Sequence, residues 1–497
     1  MHIPLEGTGS IDRERRERTR AALAKVLPPG AILATEEETA PYECDALTLY
    51  RQLPMLVVLP SSEAEVAAVL TTCHALGVPV IPRGAGTGLS GGALPHSAGV
   101  LLSLARLDRV LAVDPLARTA RLQPGVRNAA ISEAAAPFGL FYAPDPSSQV
   151  ACTIGGNVAE NSGGIHCLKY GLTVHNVLAV RGFTVAGEAI ELGSAAPDTP
   201  GLDLLSLVIG SEGTLLVVTE VLVRLLPRPA VARCLMASFA TVEAAADAVA
   251  AIIAVGIIPA ALEMMDRAAT RMVEPFVRAG YDLEAAAILL CEADGESREV
   301  LEDVARIEAV LRRAGATRIQ VAADEPERLR FWAGRKSAFP AAGRVSPDYY
   351  CMDGTIPRRQ LATVLNAIRE MESTYGLRCP NVFHAGDGNL HPLILFDAND
   401  PDSIRRADEF GVAILNLCIA VGGTVTGEHG VGVEKINQLC TQYDDASREA
   451  FVGIRRAFDP RGLLNPGKAI PTLHRCAEYG RAHVHAGRQP FPDLPRF

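Results

Sequence analysis

The sequence predicts an α+β protein built from two unlike halves, and three observations carry that prediction. Glycine clusters separated by short apolar runs recur through the first 228 residues. Beyond that point strand-like runs alternate with amphipathic helical runs, and glycines thin out. The change of character coincides with Pro227-Arg228-Pro229, a stretch that cannot continue a central strand. Glycine loops between strands let backbone N–H groups close around a ligand. The alternating second half fits an antiparallel sheet with helices on one face.

At 497 residues the chain can bury large cores, and 48% apolar with 21% charged residues is ordinary for a globular protein. A net charge of −10 argues against an extended nucleic-acid surface, which needs clustered basic excess. Residues 13–20, RERRERTR, stand where a secretory signal would need an apolar core. The longest uncharged apolar run, 248–262, is broken by Gly256 and Pro259 and is too short to span a bilayer. The eleven cysteines include no C-x-x-C pair, which points to reduced thiols in a cytoplasmic protein. It also excludes an iron–sulfur cluster of the usual spacing.

In chain order, residues 1–40 read as one helix and a lead-in. A strand over 53–59 precedes a helix opened by the capping box Ser62-x-x-Glu65. Val66, Val69, Leu70, Cys73 and Leu76 keep helical spacing, and Gly77 stops the run. This β-α-β unit delivers residues 80–95, VIPRGAGTGLSGGALP. Residues 86–91 satisfy G-x-G-x-x-G, with Asp108 about twenty positions on, as a Rossmann fingerprint would require. That fingerprint must open a helix, whereas Pro95 and a second strand over 99–104 follow here. Lys and Arg are absent from 84 to 105, so a Walker loop is excluded too. A loop of this kind still suits a pyrophosphate.

Further strands over 99–104 and 117–123 lead to Pro124-Gly125-Val126 and a helix ending at Phe138. Residues 143–164, APDPSSQVACTIGGNVAENSGG, are too small to fill a core and would let a flat ligand lie against backbone. A third loop, GSEGT at 210–214, opens a long strand-like run to Leu226-Pro227. Three such loops in about 130 residues are a stronger signal than any one alone.

The second half opens with a strand over 231–239, a helix over 241–255, strands over 261–265 and 286–292, and a helix over 297–315. Residues 380–396, PNVFHAGDGNLHPLILF, then read as strand, GDGN turn, strand. His384 and His391 lie symmetrically about Asp387-Gly388, so a four-residue hairpin would set them opposite each other. Opposed Cβ atoms about 4.5–5.5 Å apart let two imidazoles share a metal. Residues 424–430, TVTGEHG, add Glu428 and a third imidazole, His429. Two His and one Glu leave coordination positions open, as a catalytic metal needs. Phe331, Arg335 and Phe339 stand at i, i+4 and i+8, with Trp332 beside them. An arginine on such a buried face needs an anion, and a substrate carboxylate would serve.

The glycine segments, together with Asn465-Pro466-Gly467-Lys468, resemble the FAD-contacting segments of PCMH-type (vanillyl-alcohol-oxidase-like) flavoproteins. Residues 230–470 resemble the C-terminal domain of FAD-linked 2-hydroxy-acid dehydrogenases. Within these, FWAGRKSAFPA (331–341), DYYCMDGTIPRR (348–359) and HAGDGNLHPLILFDAND (384–400) are similar to the FAD-linked subunits of bacterial glycolate oxidases. The implied organisation is a helical lead-in over 1–52, an FAD-binding domain over 53–228, a substrate domain over 229–470 that returns to the first, and a tail over 471–497.

The resemblance implies that Arg83, Gly84, Ala85, Gly86, Thr87, Gly88, Leu89 and Ser90 hold the FAD pyrophosphate. It places Pro144, Asp145, Gly155, Gly156, Asn157, Gly163, Gly164, Glu212, Gly213 and Asn465 along the cofactor. His384, His391 and Glu428 match the metal positions of related D-lactate and D-2-hydroxyglutarate dehydrogenases, with Zn or Mn as the candidate ion. His429 matches their catalytic base, and Arg335 would grip the substrate carboxylate. Members with covalent flavin often carry a histidine in the first glycine loop, and none stands here, so FAD is expected to be non-covalent. Dicarboxylate-oxidising relatives carry a lysine two residues before Asp353, where this chain has Cys351, which favours a short monocarboxylate.

The expected activity is oxidation of glycolate to glyoxylate, with D-lactate to pyruvate as a second reaction. With no second redox centre in the chain, electrons must leave through partners. The resemblance implies a second FAD-domain subunit and an iron–sulfur subunit feeding a quinone. The chain would then be cytoplasmic, peripheral on the inner membrane through those partners. A metallohydrolase would explain two His and a Glu but not the glycine loops. A stand-alone D-lactate dehydrogenase, or a non-catalytic FAD-binding subunit, remain as alternatives.

Overall fold

The computed structural model describes residues 11–196 and 201–471; the expected tail over 471–497 lies almost wholly outside them. The first half contains two sheets. A four-stranded sheet runs in the order Ile32–Leu33, Leu56–Val58, Val100–Ser103, Val80–Arg83. Its last three strands are parallel, and Ile32–Leu33 is antiparallel to Leu56–Val58. Helix Glu63–Leu76 makes the crossover and is ended by left-handed Gly77. Only half of the expected capping box forms. Ser62 Oγ accepts from Glu65 N–H at 3.3 Å, while the Glu65 carboxylate accepts from Ser61 N–H at 2.7 Å instead of from Ser62.

An antiparallel five-stranded sheet follows, in the order Val110–Asp114, Thr119–Leu122, Val217–Arg224, Val177–Phe183, Ala189–Gly193. The small-residue stretch over 143–164 is not all loop: Ile154–Glu160 is a helix that buries Ile154, Asn157 and Val158. Two paired glycines conceal it, because glycine lowers helix propensity in any sequence reading.

The second half is one seven-stranded antiparallel sheet, in the order Ala316–Val321, Val231–Phe239, Ala287–Gly295, Ala261–Asp266, Asn381–His384, Asn389–Phe396, Asp348–Cys351. Helices cover both of its faces, correcting the expected single layer. Leu235, Ala237, Leu289 and Cys291 pack with Val249, Ile252 and Ile307 on one side. Met236, Ile288 and Leu290 pack with Val273, Phe331 and Trp332 on the other. The strand Ala287–Gly295 is buried at every residue but its last, so its side chains have apolar partners above and below.

The chain's end returns to the first sheet. Val80 N–H donates to Leu463 O and Asn465 N–H donates to Val80 O, both at 2.8 Å, extending the sheet beside the glycine loop. Among the described residues nine cysteines are free thiols. Cys440 is disulfide-bonded, against the expectation of reduced thiols throughout. Among the described residues no helix is long and apolar enough to cross a membrane.

Candidate active site

The three glycine loops meet at one cavity of about 410 Å³. Residues 83–89 line it, together with Gly155, Gly156, Asn157, Glu212 and Gly213. The glycines are required by close approach. A Cβ at Gly84 would stand 2.5 Å from Thr153 Oγ1, and one at Gly213, which has φ +65°, would stand 2.6 Å from Pro82 Cγ. Such backbone-walled space fits an extended phosphate-bearing ligand.

Other expected cofactor residues lie behind the wall and brace it. Ser90 is fully buried, and its carbonyl accepts from Val433 N–H and Glu434 N–H. Asn465 Nδ2 donates to Gly92 O at 3.0 Å and to Glu212 O at 2.7 Å, tying two loops together. Pro144 O accepts from Asn128 Nδ2. Asp145 pairs with His166 at 2.7 Å, and Gly164 packs on Asp145. Gly163 packs on Glu428, where a Cβ would stand 2.6 Å from Oε2. The lead-in joins the wall as well: Arg83 donates to Cys44 O at 2.8 Å, and Ala46 N–H donates to Gly88 O.

The same cavity is also lined by Lys336, Phe339, Pro340, His391, Glu428 and His429. His384 and His391 do come together, but not as direct cross-strand partners. The hairpin pairs His384 with Asn389 and Val382 with His391, so its loop is Ala385-Gly386-Asp387-Gly388. Gly388, at φ +84°, closes that loop. His384 and His391 are therefore diagonal neighbours on one face, with ring centroids 5.1 Å apart. Both Nε2 atoms aim at Glu428 Oε1, at 3.4 Å and 2.9 Å. The three ligand atoms lie within 4.8 Å of one another, and the donor set fits a divalent cation.

Two further groups orient these side chains. His384 Nδ1 meets Glu263 Oε1 at 2.7 Å, and His391 Nδ1 lies 3.4 Å from Met352 O. A carboxylate or carbonyl on the second nitrogen fixes a ligating imidazole's orientation. Burial opposes charge on His384, but Glu263 and Glu428 outweigh it and hold the imidazole well above its ordinary value. Burial likewise opposes the Glu428 carboxylate, yet His384 and His391 keep it well below the usual range. A metal would take the place of that shared proton.

Arg335 is buried, as expected, but the protein itself supplies an anion: Nε donates to Glu263 Oε2 at 2.7 Å, and both side chains are 1% exposed. Its Nη2 is buried without a hydrogen-bond partner. The helical face drawn through Phe331, Arg335 and Phe339 is interrupted. One helix ends at Lys336, and Phe339 rides on the next, Ala338–Val345. That break turns Lys336 and Phe339 to the cavity.

His429 closes the constellation. Burial pushes its imidazole down to about 4, so the ring is neutral at physiological pH. Its Nδ1 is buried with no hydrogen-bond partner, and the ring stacks on His391 with centroids 5.0 Å apart. Its backbone is fixed by Asp353, a fully buried carboxylate that accepts from Asn389 Nδ2, Thr426 Oγ1, Glu428 N–H, His429 N–H and Lys435 Nζ.

Sequence reasoning missed Glu263, Lys435, Lys336 and Glu160. Glu263 left a signal, a lone carboxylate in the apolar run ALEMM. Glu160, on the cavity wall beside Glu212, has its carboxyl held well above the ordinary value by burial and by that neighbouring charge.

Residues 54–193 match the model of an FAD binding domain, and residues 228–469 match that of the C-terminal domain of FAD linked oxidases. The chain is 60% identical over 489 residues to glycolate oxidase subunit GlcD of Escherichia coli (strain K12), covering 98% of each. It is 39% identical to the Bacillus subtilis (strain 168) subunit of that name, over 86% of this chain and 91% of the relative. D-lactate dehydrogenase of Anaerostipes hadrus is 32% identical, over 89% of this chain and 95% of the relative. In fold the chain is similar to p-cresol methylhydroxylase with substrate bound, at a TM-score of 0.79 and 16% identity, over 93% of this chain and 98% of that one. The architecture is thus the PCMH-type α+β fold. With that identity carried over almost its whole length, the chain belongs to the FAD-linked oxidase family of these glycolate oxidase subunits and D-lactate dehydrogenases, and is an FAD-dependent oxidoreductase.

Proposed function

We propose that the chain is the catalytic subunit of a glycolate-oxidising complex, converting glycolate to glyoxylate and, more slowly, D-lactate to pyruvate. The observation that carries this is a neutral, buried imidazole, His429, with an unpartnered Nδ1 on the wall of the FAD cavity beside a metal-ligating triple. Bound FAD supplies the hydride acceptor. A divalent cation on His384, His391 and Glu428 would act as a Lewis acid toward the substrate hydroxyl. His429 takes the hydroxyl proton as general base. Arg335 offers Nη2 to the substrate carboxylate while Glu263 holds Nε, so the guanidinium is oriented before substrate arrives.

Cys351 supports the small-substrate reading. Its thiol is buried within 4.8 Å of ligating atoms of His391 and His429, so a neutral group stands where dicarboxylate-oxidising relatives carry a cation. The test is anaerobic bleaching of the flavin by a panel of hydroxy acids. Glycolate should bleach fastest, D-lactate next, and D-2-hydroxyglutarate poorly. A several-fold preference for the dicarboxylate would overturn the reading of position 351.

FAD should be held without a covalent bond. Residues 83–92 lack histidine, and the two wall histidines, His391 and His429, belong to the catalytic cluster. Acid precipitation is expected to leave essentially all flavin in the supernatant, whereas flavin in the pellet would reject the claim.

Electrons are expected to leave through an FAD-domain subunit and an iron–sulfur subunit toward a quinone, with membrane association borrowed from those partners. The isolated chain should reduce its flavin with glycolate but reduce quinone only when co-expressed with them. Rapid quinone reduction by the chain alone would refute this.

A further inference from the structure

An anion that enters the cavity meets few cations. Among the described residues that line it, two side chains carry a permanent positive charge, Arg83 and Lys336. Arg83 opens the first glycine loop, is 8% exposed and donates to Cys44 O, so it is built into the cofactor wall. Lys336 comes from the other half of the chain, which also contributes Phe339, His391, Glu428 and His429 to the lining. It is the last residue of the helix Glu325–Lys336 and is exposed. The acids in that helix's first turn, Glu325 and Glu327, pair with Arg328 and Arg330. Lys336 itself has no hydrogen bond or ion pair among the described residues. A lysine at a helix C-terminus complements the dipole, but that role requires no cavity.

Successive helical residues point about 100° apart, and here the turn separates two cations. Arg335 faces inward, 2% exposed and paired with Glu263 at 2.7 Å, whereas Lys336 is both exposed and cavity-lining. An anion arriving from solvent therefore meets Lys336 first. The two groups suit different tasks: a fixed planar guanidinium orients a carboxylate, while a flexible, hydrated ammonium attracts one. The chain carries a net charge of −10, which by itself opposes the approach of an anion. We propose that Lys336 is the capture residue of this enzyme, whose ammonium draws 2-hydroxy acids in by their carboxylate before Arg335 and the His384–His391–Glu428 cluster position them. The inference rests on the function proposed above and deepens it. Lys336 acts on association and takes no part in proton or hydride transfer.

The test is stopped-flow anaerobic reduction of the FAD-loaded protein over a range of glycolate concentrations, in wild type, Lys336→Gln and Lys336→Glu. Lys336→Gln should lower the apparent second-order rate constant about 5–10-fold, the scale of one charge pair in contact near water, and leave the limiting rate at saturation unchanged. Lys336→Glu should lower that constant further. Added salt should depress the wild-type constant more steeply than that of Lys336→Gln, since the Debye length shrinks to about 8 Å at physiological ionic strength. Both variants should keep wild-type flavin content, because Lys336 is exposed. A Lys336→Gln variant with the wild-type second-order constant, or with the wild-type salt dependence, overturns the proposal. A loss confined to the limiting rate, or a loss of flavin, also overturns it and moves Lys336 to the chemical step or to the cofactor. Wild-type flavin that glycolate leaves oxidised overturns the function proposed above, and this inference with it.

Discussion

His429→Ala is expected to keep its FAD and to lose about 10²–10⁴-fold in the rate of flavin reduction by glycolate, the usual contribution of a positioned general base. The flavin should stay because the cavity is lined mainly by residues of the three glycine loops, to which His429 does not belong. The rate should fall because no other group replaces it. His391 and His384 are both engaged with Glu428, at 2.9 Å and 3.4 Å, in the set that would hold the cation. Since burial pushes His429 down to about 4, the base is neutral from pH 5 to 8, and acidification to pH 5 should not by itself silence it. Stopped-flow anaerobic reduction, with flavin content measured on the same samples, checks both halves. Reduction within a few-fold of wild type would take His429 out of the proton transfer.

Asp353→Ala is expected to cost about 3–5 kcal/mol of stability, the range for removing one partner of a buried ion pair. Asp353 and Lys435 are both fully buried, with Lys435 Nζ 3.1 Å from the carboxylate. Burial opposes the charge of each, yet Lys435 keeps Asp353 ionised and Asp353, with Glu434, keeps Lys435 protonated. Without the carboxylate the ammonium keeps Gly430 O at 2.9 Å and Glu434 Oε2 at 3.7 Å, and the Glu428 and His429 amides lose their acceptor. The site should therefore loosen where the chemistry is expected. Urea unfolding followed by flavin fluorescence and by circular dichroism would measure the loss. A variant within about 0.5 kcal/mol of wild type, the range of an ordinary surface substitution, would show that the pair carries little.

The division of the chain into a glycine-loop half and an antiparallel half was legible because it is written in local chemistry. Glycines 84, 155 and 213 stand where a side chain would collide with a neighbour, and that need leaves a compositional trace. The strands and helices of the second half show through their apolar periodicity. Helices on both faces of the sheet did not show, because a strand buried on both sides reads as a continuous apolar run.

Within the site, His384, His391, Glu428 and His429 could be named from the sequence, because imidazoles and a carboxylate at strand ends beside glycines are unusual. Their mutual arrangement could not. Moving the hairpin loop by one residue changes His384's partner from His391 to Asn389, and local sequence does not distinguish the two registers. The sequence by itself determined the residue types, the glycine clusters and the candidates His384, His391, Glu428 and His429. The tertiary structure alone decided that Glu263 stands between Arg335 and His384, and that Asp353 and Lys435 carry the Glu428–His429 backbone. The physical reason is sequence distance. Glu263 meets partners 72 and 121 residues away, and such contacts leave no periodicity to read, only buried charges that must find each other when the chain closes.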